Sequence, residues 1–168
     1  MAISLHYPPF GFHFKVEFQD IPGLVNRDAF FQEVTGLTRE LDTETIRSGG
    51  ENRFEYKLPK MARYPNLTLK RGLFVDSGLI KWATDAIEHF DIRTATVFIS
   101  LLNEKHQPLQ VYQCIHAWPQ KWSVADFNAE ESRIVVETLE LVYQYFKIVN
   151  SKNSTNSKNS TNFIKSNY

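Results

Sequence analysis

The chain has 168 residues, 42% hydrophobic and 14% aromatic, which is enough for one domain with a buried core and too little for a second domain of ordinary size. Lys plus Arg and Asp plus Glu are equal at 19 each, but residues 151–168 hold Lys152, Lys158 and Lys165 and no acid, so the rest carries 16 basic against 19 acidic residues, a net of −3. That balance offers no clustered positive charge for nucleic acid or an anionic membrane, the single cysteine excludes an internal disulfide, and no apolar run approaches the roughly 20 residues of a membrane span.

Residues 1–9 end in Tyr7-Pro8-Pro9, a stiff extended lead-in that is incompatible with a helix. The first strand follows at once, because Phe12, Phe14, Val16 and Phe18 alternate with His13, Lys15 and Glu17. After the Ile21-Pro22-Gly23 turn, Ala29–Thr35 forms a second strand that Gly36 interrupts. The segment from Thr38 to Ile46 also alternates, but with Thr, Arg, Glu and Asp, so neither face is apolar enough for a monomer's core. Ser48-Gly49-Gly50 is a flexible tip, and Glu51–Lys60 returns with Phe54, Tyr56 and Leu58 on one side. Residues 38–60 therefore read as a long projecting hairpin or loop, expected to take its order from a neighbour; long polar projections in compact domains are usually functional.

The stretch Tyr64–Phe90 reads as strand, turn and helix in succession. Leu67 and Leu69 alternate with Thr68 and Lys70, Gly72 breaks the strand, and Asp76 or Ser77 offers a side-chain oxygen to start a helix over about 77–89. Leu79, Trp82, Ala83, Ala86 and Phe90 make its apolar face, widened by Ile80 and Ile87, while Lys81, Thr84, Asp85 and Glu88 face water. Thr94–Leu102 and Leu109–Ala117 form a hairpin, Trp118-Pro119-Gln120-Lys121-Trp122 a rigid corner, and Ser132–Val149 one or two further strands. The six-residue unit SKNSTN then occurs twice, at 151–156 and 157–162, with almost nothing to bury. The expected organisation is a domain over 1–150 and a low-complexity Ser/Asn/Lys tail over 151–168.

Chemistry finds little support. Histidines at 6, 13, 89, 106 and 116 have no metal-ligand spacing, and the sequence has no Gly-rich phosphate cradle and no G-x-S-x-G elbow, so no catalytic, cofactor or metal site is expected. Cys114 lies in an alternating apolar segment and reads as a buried, inert thiol, and His13 and His116 sit on polar strand faces that can meet across a sheet. Glu40, Asp42 and Glu44 share one face of an extended strand and read as a charge stripe facing solvent or a partner rather than an acid–base pair. Lys70-Arg71 beside Gly72 reads as surface cations at a protein contact.

The ordered series Gly50-Glu51-Asn52-Arg53-Phe54, Lys57-Leu58-Pro59 and Tyr64-Pro65-Asn66-Leu67-Thr68-Leu69-Lys70-Arg71-Gly72, followed by a Trp-bearing helix, resembles the tail tube protein family of contractile phage tails, with relatives in extracellular contractile injection systems. The resemblance runs from about Tyr7 to Val149 and includes FQEVTGL at Phe31–Leu37 and ETLEL at Glu137–Leu141. The opening YPPFGFHFKVEF with GGENRF looks most like the minor, tube-initiating paralogue of injection systems. It implies a mainly β fold, an antiparallel barrel or sandwich with one flanking helix, assembled as a homo-hexameric ring that stacks on neighbouring rings inside a sheath and above baseplate hub and spike proteins. The implied inter-subunit contacts are Arg39, Glu40, Asp42, Glu44, Arg47, Glu51, Arg53, Lys70 and Arg71. Such a subunit is made in the cytosol, the N-terminus lacking a secretory signal, and then joins a particle that is extracellular or membrane-anchored. The repeat tail departs from the family pattern.

Two other classes are open on the residues alone. One is a β-barrel small-ligand carrier with Trp118, Trp122 and Tyr143 lining a cavity, and the other a β-rich hydrolase using His116 and Glu137.

Overall fold

The computed structural model describes residues 13–21, 23–24, 30–47, 50, 53–127 and 134–149. The lead-in at 1–9 and the tail at 151–168 lie outside them. Strands and helix follow the order β1 (Phe14–Gln19), β2 (Glu33–Thr35), β3 (Glu40–Ile46), β4 (Tyr56–Arg63), β5 (Leu67–Gly72), α1 (Gly78–Glu88), β6 (Ala95–Leu102), β7 (Pro108–Val124), β8 (Val136–Val142) and β9 (Tyr145–Val149). All pairings are antiparallel. The second strand is shorter than the sequence suggests, spanning Glu33–Thr35 alone.

Seven strands form one hydrogen-bonded sheet, six along the path β1-β6-β7-β8-β5-β2 and β9 beside β7. Among the described residues the path does not close on itself. It folds over at β7, whose first part lies between β6 and β9 while Trp118–Val124 pairs with β8. The result is sandwich-like rather than a closed barrel. Two of the three register shifts along β7 lie near this fold-over. Ala95 faces Ala117 but Val97 faces Cys114, so an extra residue bulges out near His116, whose φ of 52° is left-handed. A second register shift falls between Pro119 and Lys121.

The alternation in β5 explains the core. Leu67, Leu69 and Arg71 all point inward, as do Glu137, Leu139 and Leu141 of β8. They meet Val16, Val97, Ile99, Cys114 and Phe146 from the other half of the path, so burial of aliphatic and aromatic side chains supplies the main driving force. Arg71 and Glu137 are direct cross-strand partners, and at 1% and 3% exposed they form a buried ion pair through Arg71 Nε and Glu137 Oε1. Arg71 is therefore not the surface cation its neighbour Lys70 suggested. An inward position in an alternating strand needs an acid opposite it when the residue is charged.

The same network starts the helix. Ser77 is the N-cap, its Oγ accepting from the Leu79 N–H at 3.2 Å and from an Arg71 Nη, which fixes α1 to β5. Leu79, Trp82, Ala83 and Ala86 are buried, and the Trp82 indole N–H donates to the Arg93 carbonyl at 2.9 Å. Phe90 departs from expectation: the helix ends at Glu88, and Phe90 follows the C-cap His89 with φ 55°, 82% exposed rather than in the core. Ile87 is likewise exposed.

Candidate assembly surface

Among the described residues, strands β3 and β4 pair only with each other, and every residue in both is exposed. This is the projecting hairpin anticipated over 38–60, with its second strand running on to Arg63. The inward-pointing half of its backbone groups pairs within the hairpin, and the outer N–H and C=O groups of both strands form edges open to water or to a neighbour's strand.

Register decides what the hairpin presents. Residues opposite one another in an antiparallel pair share a face, so Ile46 with Tyr56 and Glu44 with Leu58 lie on one side, and Thr45 with Lys57 and Thr43 with Pro59 on the other. Alternation keeps Leu41 on the second side, with Thr43 and Thr45. The register shift lies in β4, which has two residues, Lys60 and Met61, between Pro59 and Ala62 where β3 has Asp42 alone, so it is Ala62 that changes side and comes to face Leu41. Ile46, Tyr56 and Leu58 thus form an apolar row, extended by Phe54, whose ring meets Tyr56 edge-on at 5.1 Å. Ile46 is 46% exposed and Leu58 47%. Most of the row comes from β4 and the residues just before it, where the sequence sets Phe54, Tyr56 and Leu58 on one side, and Ile46 joins it from β3.

The charges are largely engaged locally. Arg47 Nε lies 2.6 Å from Glu55, Lys60 Nζ lies 3.4 Å from Glu44, and Asp42 Oδ1 accepts from the Thr43 N–H at 2.9 Å. Such exposed pairs contribute little stability, and their effect is on which neighbour fits. Glu40 is opposite Arg63, Arg53 is exposed beside the turn, and Glu51 lies outside the described residues. Lys70 is away from the hairpin on β5, its Nζ 3.0 Å from Glu33 of β2. Arg71 is buried under α1, as described above. Arg39 is at the hairpin's root, where a guanidinium N–H donates to the Phe146 carbonyl at 2.9 Å and the cation sits 4.2 Å above the Phe146 ring.

The root holds residues that sequence reasoning missed. The Tyr143 hydroxyl donates to the Gly36 carbonyl at 2.9 Å, and Tyr64, next to β4, packs edge-on against Tyr143 and Phe146 at 6.0 and 5.9 Å. Gly36 has φ +94°, and a Cβ there would lie 2.0 Å from the Asn66 carbonyl oxygen, so only glycine fits this approach. The FQEVTGL segment and the Tyr64-Pro65-Asn66 segment meet here, which only the register of distant strands reveals.

The other constellations separate. His13 stacks edge-on against His106 at 4.5 Å, while His116 Nδ1 lies 3.0 Å from Gln144, so the two expected to meet do not. Glu137 is spent on Arg71 and on the Trp122 indole N–H at 3.1 Å, which leaves no pairing with His116 for a hydrolase. A cavity of about 10 Å³, room for about one water, lies under α1 between Phe31, Arg71, Leu79, Trp122 and Glu137. A wider open groove beside α1 is also bordered by Trp122, but Trp118 and Tyr143 border neither, so the three do not line one carrier cavity. Burial pushes the Cys114 thiol up to about 12, which keeps it a neutral thiol. Among the described residues no helix is long and apolar enough to cross a membrane.

Comparison with known proteins agrees with this architecture. A search of curated proteins finds no match. Among solved structures, a chain of the anti-feeding prophage baseplate, determined by cryo-EM with six-fold symmetrisation, is similar at 30% identity and TM-score 0.75, covering 88% of this chain and 99% of that one. A chain of the anti-feeding prophage tube-terminating cap is similar at 25% identity and TM-score 0.73, over 90% and 97%. Hcp1 from Flavobacterium johnsoniae shares the fold at 12% identity and TM-score 0.52, over 83% and 96%. The sequence profile of the T4-like virus tail tube protein gp19 family matches residues 11–147, and the chain belongs to that family.

Proposed function

We propose that this protein is a structural subunit of the inner tube of a contractile injection system, that it forms homo-hexameric rings stacking into a hollow conduit, and that it occupies the initiating ring or rings at the baseplate. The observation that carries the reading is the hairpin β3–β4, a fully exposed two-stranded element with an apolar row and no further strand partner among the described residues. Exposed apolar rows of this kind mark interaction surfaces. Membership of a tail tube family supplies the class of assembly, and the baseplate chain at 30% identity favours the initiating position.

In this reading Phe54, Ile46, Tyr56 and Leu58 bury against a neighbouring copy while Glu40, Asp42, Glu44, Arg47, Glu51 and Arg53 select its register, with Lys70 a further contact. Arg39 and Arg71 act inside the subunit. Hub and spike proteins meet one end of the ring and the sheath surrounds it; the subunit is made in the cytosol and ends in a particle. The low-complexity sequence at 151–168 is assigned no part in the tube, in keeping with a family match that ends at residue 147. The subunit's work is geometric and requires no enzymatic activity.

The test replaces Thr43–Arg53 by a short Gly-Ser linker. The parent should give rings or short stacks in negative stain, and the shortened protein should keep its melting temperature and lose them. Particles lacking the gene should be absent or tubeless; intact full-length particles would overturn the role.

A further inference from the structure

We infer that Arg39 and Tyr143, acting with Phe146, form a clamp that sets the direction of the β3–β4 hairpin, so that they control assembly without touching the neighbouring copy. This rests on the reading of the hairpin as the contact. A two-stranded hairpin is marginal on its own, and β4, with 8 residues, is a lever about 27 Å long at ~3.4 Å per residue. A swing of about 10° at its root moves the tip by ~5 Å, more than side-chain packing in an interface tolerates. Something must hold the root.

Both ends of the hairpin are held to the same corner, the turn between β8 and β9. On the β3 side, Arg39 binds the Phe146 carbonyl at 2.9 Å and covers its ring at 4.2 Å, and the Gly36 carbonyl accepts from the Tyr143 hydroxyl at 2.9 Å. On the β4 side, Tyr64 packs edge-on against both rings. Tyr112 backs Phe146 at 6.0 Å, so the corner is itself fixed to β7. Aromatic rings have few rotamers and a planar guanidinium stacked on one is pre-organised, so this block resists rotation more than a loop root would.

The experiment measures direction and assembly separately. Spin labels at Lys57→Cys on the hairpin and Lys105→Cys on the body report their distance by electron paramagnetic resonance; buried Cys114 stays unlabelled. The otherwise unaltered protein should give one narrow distribution. Arg39→Ala and Tyr143→Phe should each broaden or shift it, and ring formation should then need at least about tenfold more protein. Arg39→Lys, which keeps the charge without the planar fork, should be intermediate. If Arg39→Ala does not fold, Tyr143→Phe, which removes one hydroxyl, carries the same measurement. An unchanged distribution in Tyr143→Phe and Arg39→Ala would overturn the clamp, and so would a broadened one with undiminished assembly. Normal rings from the linker-shortened protein would instead overturn the hairpin contact, while the distance measurement still judges the clamp.

Discussion

Replacing Glu137 by leucine should take its cross-strand acid from the buried Arg71 guanidinium. Arg71 is 1% exposed, and Glu137 is both its cross-strand partner and the acceptor for the Trp122 indole N–H. Removing one member of a buried ion pair costs about 3–5 kcal/mol, because the remaining charge is desolvated without compensation. Arg71 keeps Ser77 and lies 5.5 and 5.4 Å from the ring centres of Phe31 and Phe74, so the lower part of that range is expected. At roughly 2–4 °C per kcal/mol for a domain of this size, the melting temperature should fall by about 6–15 °C. The companion variant, Arg71→Met with Glu137→Leu, removes both charges and should recover most of the loss, since apolar replacement of a whole buried pair is often neutral or stabilising. Urea unfolding monitored by tryptophan fluorescence would measure all three proteins. A single-variant cost below about 1 kcal/mol, the value of an exposed pair, would refute the reasoning, as would a double variant no more stable than the single one.

The face assignment of α1 predicts that Trp82→Ala destabilises by about 3–5 kcal/mol while Lys81→Ala stays within about 0.5; equal shifts in melting temperature would contradict it. Cys114 and Tyr143 are both pushed up to about 12 by burial, so native stability should be full below about pH 9 and decline as pH rises from there toward 12. The sign follows because the unfolded chain sheds these protons first. Cys114→Ala should lessen the alkaline loss, and a pH-independent stability over that window would argue against neutral buried groups. Truncation after Asn150 should leave folding intact, as the repeat tail has little apolar surface to offset the entropy of ordering it; a truncated protein that fails to fold would reverse this.

Much of the body can be read from side-chain alternation. Leu67 and Leu69 mark β5, Phe14, Val16 and Phe18 mark β1, and Ser77 followed by Leu79, Trp82, Ala83 and Ala86 marks the start and inner face of α1. Arg71 was misread as a surface cation because of its charge, although alternation alone, two residues beyond Leu69, points it inward. Its partner was out of reach, since pairing with Glu137 depends on strand register across 66 positions. The bend in β7 leaves a trace, Cys114 and Ala117 both being buried at an odd spacing, but the trace is too brief to separate from noise. Phe90 was misplaced because periodicity cannot tell where the last turn stops. At the hairpin, the charges and the Phe54, Tyr56 and Leu58 side were both visible. That Ile46 joins them depends on the pairing of two strands, and the Arg39 root contact depends on a carbonyl 107 positions away.

A cryo-EM reconstruction of the assembled protein is the most direct test of the tube account. It should show six-fold rings stacked around a channel, each with the Phe54, Ile46, Tyr56 and Leu58 face of the hairpin buried on a neighbouring copy. Particles in which the hairpins project into solvent, or a protein that stays monomeric both alone and on its baseplate, would contradict it.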